Sequence, residues 1–153
     1  MCSSDPRAAE MLRACGLKGV PFAIVFSSGY SEVGGKGIAM QRELAAVAAE
    51  YGIGLVGPNC QGMINIAGNV YAGFGSVFFT GYEAGTVSMV SQSGGFGFSV
   101  MNLASKDGGV HFRQMVTTGN EIGISTLDFI EHFIDDAKTE VITVYIEGLK
   151  DAR

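Results

Sequence analysis

Tryptophan is absent, proline occurs only three times in 153 residues and histidine only twice. So little proline rules out a Pro/Gly-rich low-complexity chain, even though glycine is abundant at 23 residues. Charged residues make up only 16% of the chain against 47% hydrophobic, which excludes intrinsic disorder. Basic side chains are the minority, 10 Lys plus Arg to 15 Asp plus Glu, so the net charge is −5 and nucleic acid is excluded as a broad partner. No run of about 18 apolar residues occurs, so no membrane segment is expected. Met1-Cys2-Ser3-Ser4-Asp5-Pro6 has no basic stretch leading into an apolar core, so no secretory signal is expected. Cys2, Cys15 and Cys60 are odd in number and lack C-x-x-C spacing, which points to reduced thiols in a cytoplasmic protein. No His/Cys/Asp cluster has the spacing of metal ligands, so no metal site is expected within the chain.

What the sequence does contain is alternation of strand and helix signals. Asp5-Pro6 reads as a helix start, with Ala8 to Cys15 following and Gly16 as the stop. Phe22 to Phe26 is a continuous apolar run, the pattern of a strand buried on both faces. Ile38 to Tyr51 reads as an amphipathic helix ended by Gly52, and Ile53 to Val56 as the next strand. Between Gly62 and Gly85 the glycines break the pattern, and this stretch reads as a loop or hairpin crossing between domains. Alternation then resumes with strands at Thr86–Val90, His111–Val116 and Val141–Ile146. Helices follow at Gly95–Ser105, stopped near Gly108, and at Ser125–Phe133, where Ser125 and Asp128 stand as a capping box. The expected class is α/β with parallel sheets and right-handed crossovers. Few strands precede Gly62 and no helix covers the last strand, so both ends look cut.

The polar motifs fall at one kind of place. Ser27-Ser28-Gly29, Gly57-Pro58-Asn59-Cys60, Ser91-Gln92-Ser93-Gly94-Gly95, Thr117-Thr118-Gly119-Asn120-Glu121 and Glu147-Gly148 each follow a strand. In open parallel sheets the carboxyl edge of the strands is where ligands bind. A single such loop is ordinary turn chemistry; a set of them points to a site. Ser91 to Gly95 joins a buried strand to a helix N-terminus, an anion-binding arrangement that needs no lysine. It is not a P-loop, since no Gly-Lys-Ser/Thr follows. It has some likeness to the nucleophile elbow of hydrolases, but His111 and His132 are poorly placed for a triad. Asp135-Asp136 reads as a solvated turn, and Phe96 and Phe98 as packing residues.

Gly57-Pro58-Asn59-Cys60-Gln61-Gly62, Val90-Ser91-Gln92-Ser93-Gly94-Gly95 and Gly119-Asn120-Glu121, with Ser28-Gly29-Tyr30-Ser31-Glu32 and Tyr145-Ile146-Glu147-Gly148, resemble the NDP-forming acyl-CoA synthetases. This is the superfamily of succinyl-CoA synthetase and ADP-forming acetyl-CoA synthetase. The resemblance implies that residues 1–66 are the later part of a CoA-binding Rossmann-like domain. It makes 67–84 a Gly-rich connection, and 85–153 the first part of a flavodoxin-like ligase domain.

The implied reaction is acid + CoA + NTP ⇌ acyl-CoA + NDP + phosphate, through an acyl phosphate and a phosphorylated histidine. The resemblance implies that Asn59, Cys60 and Gln61 bind the thiol end of coenzyme A. It gives the phosphoryl group to Ser91, Gln92, Ser93, Gly94 and Gly95, and makes Glu147 the catalytic carboxylate that orients the histidine. It places the loop gripping the CoA phosphates before residue 1 and the phosphorylated histidine after residue 153. ATP or ADP with Mg would bind an ATP-grasp domain or subunit of the parent enzyme, not this chain alone. The chain is therefore expected to be inactive in isolation, with CoA and phosphate as partners and with cut sheet edges that favour self-association. The alternative reading is a non-catalytic CoA- or acyl-CoA-binding regulatory module. Glu147 and the intact Ser-Gln-Ser-Gly-Gly loop favour the catalytic parent.

Overall fold

The computed structural model describes residues 7–149. Helix α1 (Ala8–Leu17) leads to strand β1 (Phe22–Ile24), helix α2 (Lys36–Tyr51) and strand β2 (Gly54–Val56). Strands β1 and β2 pair in parallel as a two-stranded sheet. Leu12, Leu44, Val47 and Leu55 form the core between this sheet and its helices. The second lobe holds β3 (Gly62–Asn65), β4 (Val70–Gly73), β5 (Val87–Ser91), α3 (Gly94–Asp107), β6 (Phe112–Thr117), α4 (Thr126–Asp135) and β7 (Val141–Tyr145). Its five-stranded sheet has the order β4-β3-β6-β5-β7.

The central strands explain their own sequences. Alternate residues of a strand face opposite sides. Met89 and Met115 pack with Phe98 and Met101 of α3, whereas Val90 and Val116 pack with Phe133 of α4. With helices on both faces, every residue of β5 from Ser88 to Ser91 is buried. Helix α4 starts as expected: the Ser125 hydroxyl accepts from the Asp128 amide, and the Asp128 carboxylate accepts from the Ser125 amide at 2.7 Å.

Several expectations are corrected. The sheets are not wholly parallel, because β3 pairs antiparallel with both β4 and β6. The Gly62–Gly85 stretch, expected as a loop or hairpin, supplies a hairpin that protects the open side of β6. Residues 62–65, which the resemblance puts in the first segment, form strand β3 of the second sheet. Phe22 is 69% exposed, so β1 is not buried on both faces, and the strand ends at Ile24 rather than Phe26. The start expected at Asp5-Pro6 lies outside the described residues. Gly16 does not stop α1. The turn comes at Gly19, whose φ is +72°, with the Val20 amide reaching back to the Cys15 carbonyl at 3.1 Å. Asp136 is not merely solvated: its carboxylate is ion-paired with Arg113.

Gly16 has a packing reason instead. A Cβ there would lie 2.3 Å from Cγ of Tyr51, so the missing side chain lets α1 press against α2. Helix propensity alone favours Ala over Gly by about 1 kcal/mol. Overpacking costs about 1–3 kcal/mol, and the clash is with the base of a ring that cannot swing away. Gly16→Ala is therefore expected to destabilise the protein by about 1 kcal/mol in urea denaturation. A gain in stability would show that α1 is free to shift.

Candidate functional site

The carboxyl ends of the parallel strands converge on a cleft of about 340 Å³. The β1 end contributes Phe26 and Ser28, and the β2 end Asn59, Cys60 and Gln61. The start of α3 contributes Gln92, Ser93, Gly94 and Gly95, the β7 end Glu147, and the hairpin Phe74. All the residues expected to contact CoA or phosphate, and Glu147, line this one cleft, except Ser91.

At the start of α3, Ser93 is the N-cap. Its hydroxyl accepts from the Phe96 amide at 3.4 Å and its carbonyl from the Gly97 amide at 3.1 Å. The first amides of a helix lack partners within it, and here those of Gly94 and Gly95 are left to face the cleft. A Cβ on Gly94 would stand 2.8 Å from Cβ of Gln61, so glycine lets the β2 loop touch the helix start; the space at Gly95 is open.

A single loop after β6 ties the walls together. The Thr117 hydroxyl accepts from the amides of Gln61 at 3.0 Å and Gly62 at 2.9 Å, and donates to the Gly62 carbonyl. Gly119 has φ +58°, and a Cβ on it would sit 2.3 Å from the Pro58 carbonyl oxygen. The Asn120 amide nitrogen donates to Glu32 at 2.6 Å and Gln41 at 2.9 Å, while its oxygen accepts from Asn59 at 3.2 Å. Glu121, held at φ +53°, accepts from Thr118 at 2.7 Å, from the Thr126 amide and hydroxyl, and from Gln92 at 3.1 Å. A non-glycine residue at positive φ costs of the order of 1–3 kcal/mol and persists only where its surroundings enforce it. Burial pushes the Glu32 carboxyl up. The donors outweigh this, first Asn120 and then the amides of Gly29 and Tyr30, and the net shift is downward.

Residues 84–153 match the succinyl-CoA ligase like flavodoxin domain. Over 97% of its length the chain is 42% identical to acetate–CoA ligase [ADP-forming] I of Archaeoglobus fulgidus. The chain is homologous to a segment of the ADP-forming acyl-CoA ligases. It spans 21% of that relative, and 30% of the acetate–CoA ligase [ADP-forming] II subunit alpha of Pyrococcus furiosus, to which it is 33% identical over 94% of its own length. The dinucleotide forming acetyl-coenzyme A synthetase 1 of Ca. Korarchaeum cryptofilum, solved in complex with phosphate and ADP, superimposes with a TM-score of 0.86 at 30% identity. That match covers 96% of this chain and 30% of the other.

Three of the expected ligand contacts are already engaged within the fold. Ser91 is fully buried and its hydroxyl donates to the Ser93 carbonyl at 2.6 Å, so it faces away from the cleft. The Gln92 amide nitrogen of the backbone is bonded to the Tyr145 carbonyl at 3.0 Å, and its side chain is fully engaged with Glu121, Glu147 and Gly148. Cys60 is 3% exposed, with its thiol directed to the Val25 carbonyl at 3.5 Å. Sequence reading missed Phe26, Phe74 and the structural reach of Asn120. Only the Gly-flanked aromatic at 74 and the polar loop after β6 hinted at them. Among the described residues no three His, Cys, Asp or Glu side chains group as a metal site, and no helix is long and apolar enough to cross a membrane.

Burial raises the Cys60 thiol from the usual value near 9 to about 12, against the opposing amides of Gly62 and Cys60. The folded state therefore holds this proton more tightly than the unfolded chain does. Its contribution to stability is full below pH 9 and is lost as the pH rises from 9 toward about 12. Alkylation at pH 8 followed by mass spectrometry is expected to leave Cys60 unmodified until urea unfolds the chain. Rapid labelling of native Cys60 would contradict its burial.

Proposed function

We propose that the chain forms the part of an ADP-forming acyl-CoA ligase where the thiol end of CoA, the acid and the transferred phosphoryl group meet. The observation that carries this reading is the cleft itself, which sets Asn59, Cys60 and Gln61 opposite the free amides of Gly94 and Gly95 with Glu147 beside them. Residues through Gln61 supply the CoA side, and those from 85 the ligase side, with the β3–β4 hairpin joining them. The CoA thiol end would run along Asn59 and Gln61, with Cys60 as a buried support under the loop rather than a nucleophile. A phosphoryl group would sit on the Gly94 and Gly95 amides, where the helix start offers donors and the positive end of the dipole. Such preorganised donors stabilise the charge on transferred oxygens.

Glu147, exposed at the β7 end, would accept a hydrogen bond from an imidazole N–H and so fix its tautomer. The phosphorylated histidine, the nucleotide and its Mg belong in this reading to other parts of the parent ligase, of which this chain spans about a fifth to a third. The exposed Val141 and Val144 on outer strand β7, with Ile146 just after it, fit an association surface in that assembly.

Inorganic phosphate titrated into the 153-residue protein and followed by NMR is expected to shift the Gly94 and Gly95 amides with weak, saturable affinity. Glu147→Gln should tighten binding by removing a negative charge from the cleft. Ser93→Ala should weaken it, with a loss of about 1 kcal/mol of stability from the missing cap. With ATP, CoA and short carboxylic acids the same protein should form no acyl-CoA. Amides that do not move, or turnover by the isolated chain, would overturn the reading.

A further inference from the structure

The Gln92 side chain bonds both the β6 loop and the β7 end. Its Nε2 donates to Glu121 Oε2 at 3.1 Å and to the Gly148 carbonyl at 2.9 Å. Its Oε1 accepts from the Glu147 amide at 2.7 Å and from the Gly148 amide at 3.0 Å. A carboxamide has two donor hydrogens and two acceptor lone pairs, so each is in use. The orientation of the amide is fixed by its partners: a carboxylate and a carbonyl can only accept, and two backbone amides can only donate. Reversing it would break all of these bonds at once.

Glu121 is held in turn. Thr118 and Thr126 hold its Oε1, which leaves Oε2 aimed at Gln92. The chain of contacts runs from the β6 loop through Gln92 to the backbone of Glu147, a residue on an exposed strand end. A polar residue beside the start of α3 would be free to meet an incoming anion; Gln92 has no capacity left for one.

We infer that Gln92 is a positioning residue: it fixes the Glu147 backbone, and so its carboxylate, against the start of α3, with Glu121 fixing Gln92. This inference rests on the reading that the Gly94–Gly95 amides take a phosphoryl group and that Glu147 faces it. Hydrogen bonding to a charged acceptor makes the Gln92–Glu121 contact the stronger anchor. The role differs from ligand binding because it acts on where Glu147 stands, so its signature is a coupling between the two residues.

The test is a double-mutant cycle read by inorganic phosphate affinity, with hydrogen exchange as an independent measurement. In the wild-type background Glu147→Gln is expected to tighten phosphate binding on the order of fivefold, about 1 kcal/mol. In the Gln92→Met background, which keeps the length but none of the bonds, the same change should have little effect, because Glu147 is no longer held by the anion. The amides of Glu147 and Gly148 should exchange on the order of tenfold faster in Gln92→Met, while those within β7 keep their protection.

Gln92→Glu retains the accepting oxygen, so it should restore much of that protection at acidic pH, where its carboxyl is neutral, and lose it near neutrality beside Glu121. This variant also serves if Gln92→Met does not fold. An equal gain from Glu147→Gln in both backgrounds, or unchanged exchange at Glu147 and Gly148, overturns the positioning role. If phosphate moves no amide even in the wild type, the anion-site reading fails, and the exchange measurements still decide whether Gln92 holds the strand end.

Discussion

The structure depends on the loop Thr117–Glu121, which carries hydrogen bonds to both lobes. Beside it the two-stranded sheet with its helices and the five-stranded sheet meet through the chain at Gln61-Gly62, the edge-on contact of Phe26 with Phe74 and the close approach of Gln61 to Gly94. The Asn120, Ile122 and Ile124 amides donate to the carbonyls of Pro58, Gly57 and Leu55, which extends the backbone pairing past β2. Asn120 then fastens the β1 loop through Glu32 and Gln41, and Glu121 fastens the other wall through Gln92. The positive φ of Gly119 and Glu121 is the cost of bending one loop to serve both sides.

Around the cleft, polar groups divide into those already spent on structure and those left open. Ser91, Gln92, Thr117 and Asn120 have their donors and acceptors bound to neighbouring protein groups. Gly94 and Gly95 offer backbone amides with no side chain in the way, and Glu147 extends a carboxylate from a clamped backbone. A rigid frame around a few unsatisfied groups is what transition-state stabilisation requires, since preorganised dipoles need not reorient during reaction. The acidic net charge of the chain is compatible with an anion site because the field at a helix start is local.

Much of this was legible in the sequence. The strand-end placement of Ser91–Gly95 and Asn59–Gln61 followed from period and composition, and the cleft brings those motifs together. The capping box of α4 followed from residue types at fixed spacing. Other features were not legible because they are tertiary. Gly16 has the look of a stop, yet its value lies in the contact with Tyr51, 35 residues away in the chain. Ser91 and Gln92 have the look of ligand groups, and only the positions of Ser93, Glu121 and Gly148 show that they are spent. A hairpin was among the readings of Gly62–Gly85, but its antiparallel pairing with β6 was not legible because glycine-rich segments of four residues carry no clear period.

The central claim is that the β6 loop makes the two lobes one cooperative unit and thereby forms the cleft. Asn120→Asp tests it most directly, since it sets a carboxylate against Glu32 and removes the donor to Gln41. The measurement is urea unfolding followed by NMR at the amides of Leu55 in the first lobe and Val90 in the second, both fully buried. The wild type should lose both signals in one transition. The variant should be less stable by about 2–3 kcal/mol at neutral pH, with Leu55 lost before Val90. A single unshifted transition in Asn120→Asp would contradict the claim.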